Sequence, residues 1–244
     1  MLMLKLNDGS LIDLKDRVID TLVSTKRDGM VDLLAYLVET DFFIAPASTK
    51  FHGSEPGGLL YHSWHVYQLL KAKNDLFKTN IPVESLVIAG LLHDVCKIGC
   101  YHIDTDPPTS AQINYLTKLA GREVYAIKAG PLTKSYASVL IEWYVNKQEG
   151  PRPEYKQTYV YKDELPLGHG EKSVIMLAPI LNLTSAEALA IRWHMAFFDA
   201  GIHFNYPTGY AYKAATEKYS LVTLLATADI EASNILEGNF ENQI

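Results

Sequence analysis

The run Ala89-Gly-Leu-Leu-His93-Asp94-Val-Cys-Lys97 is apolar until it ends in an adjacent imidazole and carboxylate. Two ligand-type groups at the end of a buried segment point to a bound metal ion. Neighbouring residues of a helix point about 100° apart, so His93 and Asp94 reach one ion only if the helix end faces a cleft. Lys97 follows four residues after His93, on the same face. The plainer alternative is a helix-terminal His near the negative end of the dipole and an Asp that caps a nearby group. The same choice between ligand and structural group applies singly to His62, His169, His194 and Asp229. Asp229 interrupts an apolar helical face, and a buried carboxylate needs a partner or a metal.

These residues need elements to bring them together, and the periodicity is helical almost throughout. Residues 11 to 25 carry Leu11, Ile12, Leu14, Val18, Ile19 and Leu22 at helical spacing, and Asp28 can cap a second helix bearing Leu33, Leu34 and Leu37. Within 1 to 50, these are packing helices. The loop from 40 to 58 is rich in Pro, Ser and Gly, and its His52 reads as a loop residue. A helix from 58 to about 71 puts His62 and His65 on one face, and Pro82 suits the first turn of a helix reaching about 98. His169 opens another helix. Thr184 with Glu187 has a capping-box pattern for a helix ending near His194, and an antiparallel hairpin brings His169 and His194 together. After a loop from 199 to 209, a last helix runs from about 220 to 235.

Residues 101 to 165 have a different texture, with Pro and Gly punctuation and recurrent tyrosines, and read as an insertion or lid. It is expected to be helical around 132 to 147 and to carry a short strand at 157 to 162. From 101 to 172 there are nine basic and nine acidic residues, so the net charge of −6 lies elsewhere in the chain. The expected architecture is all-α: a single domain over 1 to 244, a helical bundle with an irregular insertion able to carry a short β-hairpin.

At 244 residues, 48% hydrophobic and 20% charged, the chain can bury a sizeable core and is not of disordered composition. The acidic balance argues against a sequence-independent grip on long nucleic acid and leaves a small anionic substrate open. Two cysteines, Cys96 and Cys100, are too few for a disulfide framework. The polar start and the lack of a long apolar run lead to the expectation of a cytoplasmic protein that meets no membrane.

The order His, His-Asp, His, His, Asp along a helical chain resembles the HD-domain superfamily of metal-dependent phosphohydrolases. The nearest local likeness is to the HD domain of YhaM-type 3′-5′ exoribonucleases: Pro56-Gly-Gly-Leu-Leu-Tyr-His62, then Leu91-Leu-His-Asp-Val-Cys-Lys97, then Leu167-Gly-His169. It covers roughly 50 to 100 and 165 to 235. The resemblance implies a first metal site of His62, His93, Asp94 and Asp229, and a second of Asp94, His169 and His194. A carboxylate has two oxygens and can bridge ions, so Asp94 is the natural shared ligand. His65 is then an extra histidine beside the ligands. Many two-metal members have a His-His pair where this chain has His194-Met195, so one ligand is missing from the pattern.

A set of four His and two Asp favours iron or manganese, with cobalt, nickel, zinc or magnesium as alternatives. The implied reaction is hydrolysis of a phosphomonoester or phosphodiester, in a nucleotide or short oligonucleotide, by metal-activated water. Asp94 and Lys97 are the expected catalytic groups, with Lys97, Arg192 and Lys172 facing the substrate and the tyrosines of the insertion closing over a base. The same ligand order also resembles the mixed-valent diiron oxygenases of this fold, and a non-catalytic nucleotide-binding HD module is the third reading. The Gly-Gly-Leu-Leu-x-His context favours the hydrolase.

Overall fold

The structure is a computed structural model, described here over residues 10–49, 52–120, 131–147, 150–198 and 206–238. It is mostly helical with one two-stranded sheet, as the periodicity predicts. The chain divides into two compact units, one of residues 1–100 and 163–244, the other of residues 101–162.

In the first unit, α1 (Leu11–Ser24) begins at a capping box between Ser10 and Asp13 and buries Leu14, Val18 and Leu22. Helix α2 (Met30–Glu39) starts from Gly29, one residue past the expected cap Asp28, and no side chain caps it. Helix α3 (Gly58–Phe77) outruns its predicted end by more than a turn and carries His62 and His65 on its buried side. Helix α4 (Val83–Leu92) is buried on all sides from Ser85 onward. Each fully buried Leu, Ile or Val there contributes about 1.5–3 kcal/mol, which makes α4 the axis of the bundle.

Helix α4 stops at Leu92, short of the predicted 98, and a separate 3₁₀ turn spans Val95–Lys97. Gly90 sets the distance between α3 and α4: a Cβ there would lie 2.7 Å from Tyr67 Cα, a backbone atom that cannot swing aside. Gly90→Ala is therefore expected to cost about 1–3 kcal/mol by pushing the two helices apart, read as a lowered urea midpoint at unchanged slope.

In the second unit, β1 (Tyr101–Ile103) pairs antiparallel with β2 (Tyr159–Tyr161), Tyr101 opposite Tyr161. Helices α5 (Ser110–Ala120) and α6 (Lys134–Val145) pack around Leu116, Tyr136, Ala137 and Leu140, a small core of their own.

The first unit resumes with α7 (His169–Leu177) and α8 (Ser185–Arg192), the latter opened by the expected Thr184–Glu187 capping box. Helix α9 (Tyr206–Lys218) covers part of the predicted loop, and α10 (Ser220–Glu231) runs into a π-helical turn, Ala232–Leu236. Glu187 does more than cap: it takes both guanidinium nitrogens of Arg27, at 2.7 and 3.0 Å, and the Ser85 hydroxyl at 2.6 Å. That ties the loop before α2 to α4 and α8.

Candidate metal centre

The end of α4 aims the doublet. His93 keeps helical backbone angles, but Asp94 has φ −108° and ψ 19°, outside the α-helix. The break replaces the 100° splay of a continuous helix, and both side chains reach the same interior point. It also changes the partner of Lys97. In the tighter 3₁₀ geometry, residues three apart lie above one another, and Lys97 Nζ sits 2.7 Å from Asp94 Oδ2.

Three histidines are tied back through one ring nitrogen. His93 Nδ1–H donates to the Gly90 carbonyl at 2.9 Å, and His194 Nδ1–H donates to the Ile191 carbonyl at 2.7 Å. His62 Nδ1 faces the two carboxylate oxygens of Glu237 at 3.1 and 3.2 Å. Such bonds leave each Nε2 directed inward, the arrangement that metal-ligating histidines have.

The inward nitrogens meet carboxylates. His62 Nε2 lies 3.1 Å from Asp229 Oδ1 and 3.3 Å from His93 Nε2, and both imidazoles lie 3.6 Å from Asp94 Oδ2. On the other side of Asp94, Oδ1 lies 3.4 Å from His194 Nε2, a buried nitrogen that makes no hydrogen bond among the described residues. The two oxygens of Asp94 thus face two different groups of ligand atoms.

Two sets of ligand atoms lie close enough to hold an ion around this carboxylate. One is His62, His93 and Asp229; the other is Asp94, Cys96 and His169. A third set, His52, His62 and Glu237, shares His62 with the first. The donors suit a borderline divalent cation: imidazole nitrogens directed inward, and carboxylates that stay ionised.

Burial and opposing charges set the protonation of these groups. Burial pushes the His62 imidazole down, but hydrogen bonds to Asp229 and Glu237 outweigh it and hold the group up at about 10. Burial pushes His93 down to about 4. Burial also pushes Asp94 up, yet Lys97, His93 and His194 hold its carboxyl well below the usual range. Asp229 is held at about 2 despite its burial, mainly by the His62 hydrogen bond. A proton on His62 separates its Nε2 from the facing His93 Nε2, and a divalent ion could do the same with more charge.

The centre opens on a cavity of about 840 Å³ lined by Asp94, Lys97, His169, His194 and Asp229, with Met195, Phe198 and Ile230 as an apolar wall and Ser233 and Asn234 as polar groups. Of the expected substrate-facing residues, only Lys97 lines this cavity. Arg192 is paired with Glu171 and lies 3.9 Å over the Trp193 ring. Lys172 Nζ is held by Asp163 at 2.6 Å and by Cys100 Sγ at 3.1 Å. Arg192 stands two residues before His194 and Lys172 three after His169, and both side chains are paired with carboxylates.

Two residues of the centre escaped the sequence reading. Glu237, which orients His62 and lies 2.8 Å from His65 Nδ1, comes after the last predicted helix and is delivered by the π-helical turn. Cys96, read from the sequence only as one of two cysteines too few for a disulfide framework, stands two residues past Asp94.

No helix among the described residues is long and apolar enough to cross a membrane. No family model, curated protein or solved structure matches the chain.

Proposed function

We propose that the protein is a metal-dependent phosphohydrolase of the HD-domain type, acting on a phosphate ester of a nucleotide or short oligonucleotide. The observation that carries this reading is the convergence of the His62, His93 and His194 Nε2 atoms, each with its Nδ1 tied back, on the two oxygens of Asp94. His62, His93, Asp229 and Asp94 Oδ2 would hold one ion, and Asp94 Oδ1, His169 and His194 a second. Bound there, iron or manganese would supply Lewis acidity and a water molecule activated near neutral pH.

The chain's own groups do the rest. Lys97 sets the Asp94 carboxylate in position through Oδ2 and adds positive charge to the cavity wall, where the phosphoryl oxygens would lie. Met195, Phe198 and Ile230 offer a nucleoside an apolar face, with Ser233 and Asn234 as hydrogen-bonding groups beside it. His62, His93, Asp94 and His194 are buried while His169 and Asp229 are part-exposed at the cavity, so an ester can approach without the protein giving up its core.

Protein loaded with Mn(II) or Fe(II) is expected to release phosphate, or to cleave, on a panel of nucleotides, cyclic dinucleotides and short RNA. Loaded protein that turns over nothing on that panel would sink the proposal. Dioxygen uptake, with a mixed-valent diiron resonance signal after partial oxidation, would replace hydrolysis with oxygenation.

A further inference from the structure

The geometry points to Cys96 as a thiolate ligand of the second ion, in a site formed by Cys96 Sγ, Asp94 Oδ1 and His169, with His194 as the fourth donor. The inference rests on the two-ion reading above and specifies its second half.

Cys96 Sγ lies 3.6 Å from His169 Nδ1 and 3.7 Å from Asp94 Oδ1. Ligand atoms about 2.0–2.3 Å from a tetrahedral ion lie about 3.3–3.8 Å from one another, so these separations are those of a ligand shell. A second observation is independent of the thiol. His194 Nε2 is buried, has no hydrogen-bond partner among the described residues, and is directed at the same Oδ1 from 3.4 Å. Three donors therefore lie close enough to share an ion, and His194 approaches the same carboxylate oxygen from its other side.

The backbone holds the thiol in this place. Cys96 lies in the 3₁₀ turn Val95–Lys97, and its N–H donates to Ser173 Oγ on α7 at 3.2 Å, which docks the turn against the helix that begins with His169. Cys100, one turn further on, is directed elsewhere: its Sγ contacts the Cys96 carbonyl at 3.3 Å and Lys172 Nζ at 3.1 Å. Only one of the two cysteines is placed to bind. The thiol proton leaves to solvent as the sulfur–metal bond forms, and the site then carries thiolate, carboxylate and imidazole. That set prefers a borderline cation such as zinc, iron or cobalt over magnesium.

Cobalt(II) reads this directly, without turnover. Wild-type protein is expected to take two Co(II) per chain and show thiolate-to-cobalt charge-transfer absorption in the near ultraviolet. Cys96→Ser should lose that absorption and one of the two ions while keeping the visible bands of the first site, and Cys100→Ser should keep everything. Cys96→Ala serves if the serine variant melts early by circular dichroism. Two bound cobalt ions with no charge-transfer band in the wild type, or an unchanged band and stoichiometry in Cys96→Ser, would overturn the thiolate assignment and leave the phosphohydrolase reading standing. A wild-type chain that binds no cobalt at all would overturn both.

Discussion

Asp94→Asn is expected to abolish phosphoester hydrolysis, lowering kcat/KM by about 10³-fold or more, and to strip metal from the protein. The size follows from position. Asp94 is the group whose two oxygens face both sets of inward-pointing nitrogens, so one substitution weakens both ion sites together. Losing several kcal/mol of transition-state charge stabilisation corresponds to rate losses of about that order. Asparagine keeps the shape of the side chain, which matters because Lys97 is buried against Oδ2. The metal-free variant should lose some stability at that point, since a buried cation loses its counter-ion. Metal analysis, circular dichroism and activity measured on the same sample separate the outcomes. A folded Asp94→Asn protein with wild-type metal content would remove Asp94 from the ligand set and the two-site geometry with it.

The sequence showed the helical faces of the centre better than the points where helices end. His62 and Asp229 were legible because 3.6-residue periodicity places each on a buried face, and the structure puts His62 Nε2 3.1 Å from Asp229 Oδ1. The break after Leu92 was not legible. The apolar run continues through Val95 and Cys96 with neither Pro nor Gly before Gly99, so nothing local announces a 3₁₀ turn. That turn nevertheless decides that Lys97 pairs with Asp94 and that Cys96 turns toward His169. Glu237 was hidden for the same reason, because a π-helical turn shifts the register that places its carboxylate against His62.

Two whole helices were also missed. Along α5 only Leu116 is buried, and along α9 Ala215 is the buried apolar residue, so neither writes a stripe strong enough to read. Arg192 and Lys172 went the other way. Nearness in sequence to His194 and His169 made them candidates, but Glu171 and Asp163 claim their charges.

Glu187→Ala is expected to destabilise the fold by about 3 kcal/mol at neutral pH, lowering the melting temperature by about 6–12 °C. Glu187 is fully buried, and its loss leaves the Arg27 guanidinium, itself mostly buried, without an anion. The Ser85 hydroxyl and the Thr184 N–H lose their acceptor as well. The effect carries a pH signature. Burial pushes the Glu187 carboxyl up, but hydrogen bonds from Arg27, Ser85 and Thr184 outweigh it and hold the group below its ordinary value of 4.5. As pH falls, the unfolded chain therefore takes up this proton before the folded one does. The contribution of Glu187 is fully present above the unfolded value and is lost as pH falls through the folded one. Wild-type and variant melting temperatures should accordingly be far apart at pH 7 and converge as the solution is taken below pH 4.5. A gap that stays constant, or widens, through that acid range would mean that the ionised carboxylate is not what ties the loop before α2 to α4 and α8. The metal centre need not take part in this test, because Glu187 acts on how the helices are held and not on the ligand atoms. A variant that melts early yet binds two ions at low temperature would separate the scaffold from the site it positions.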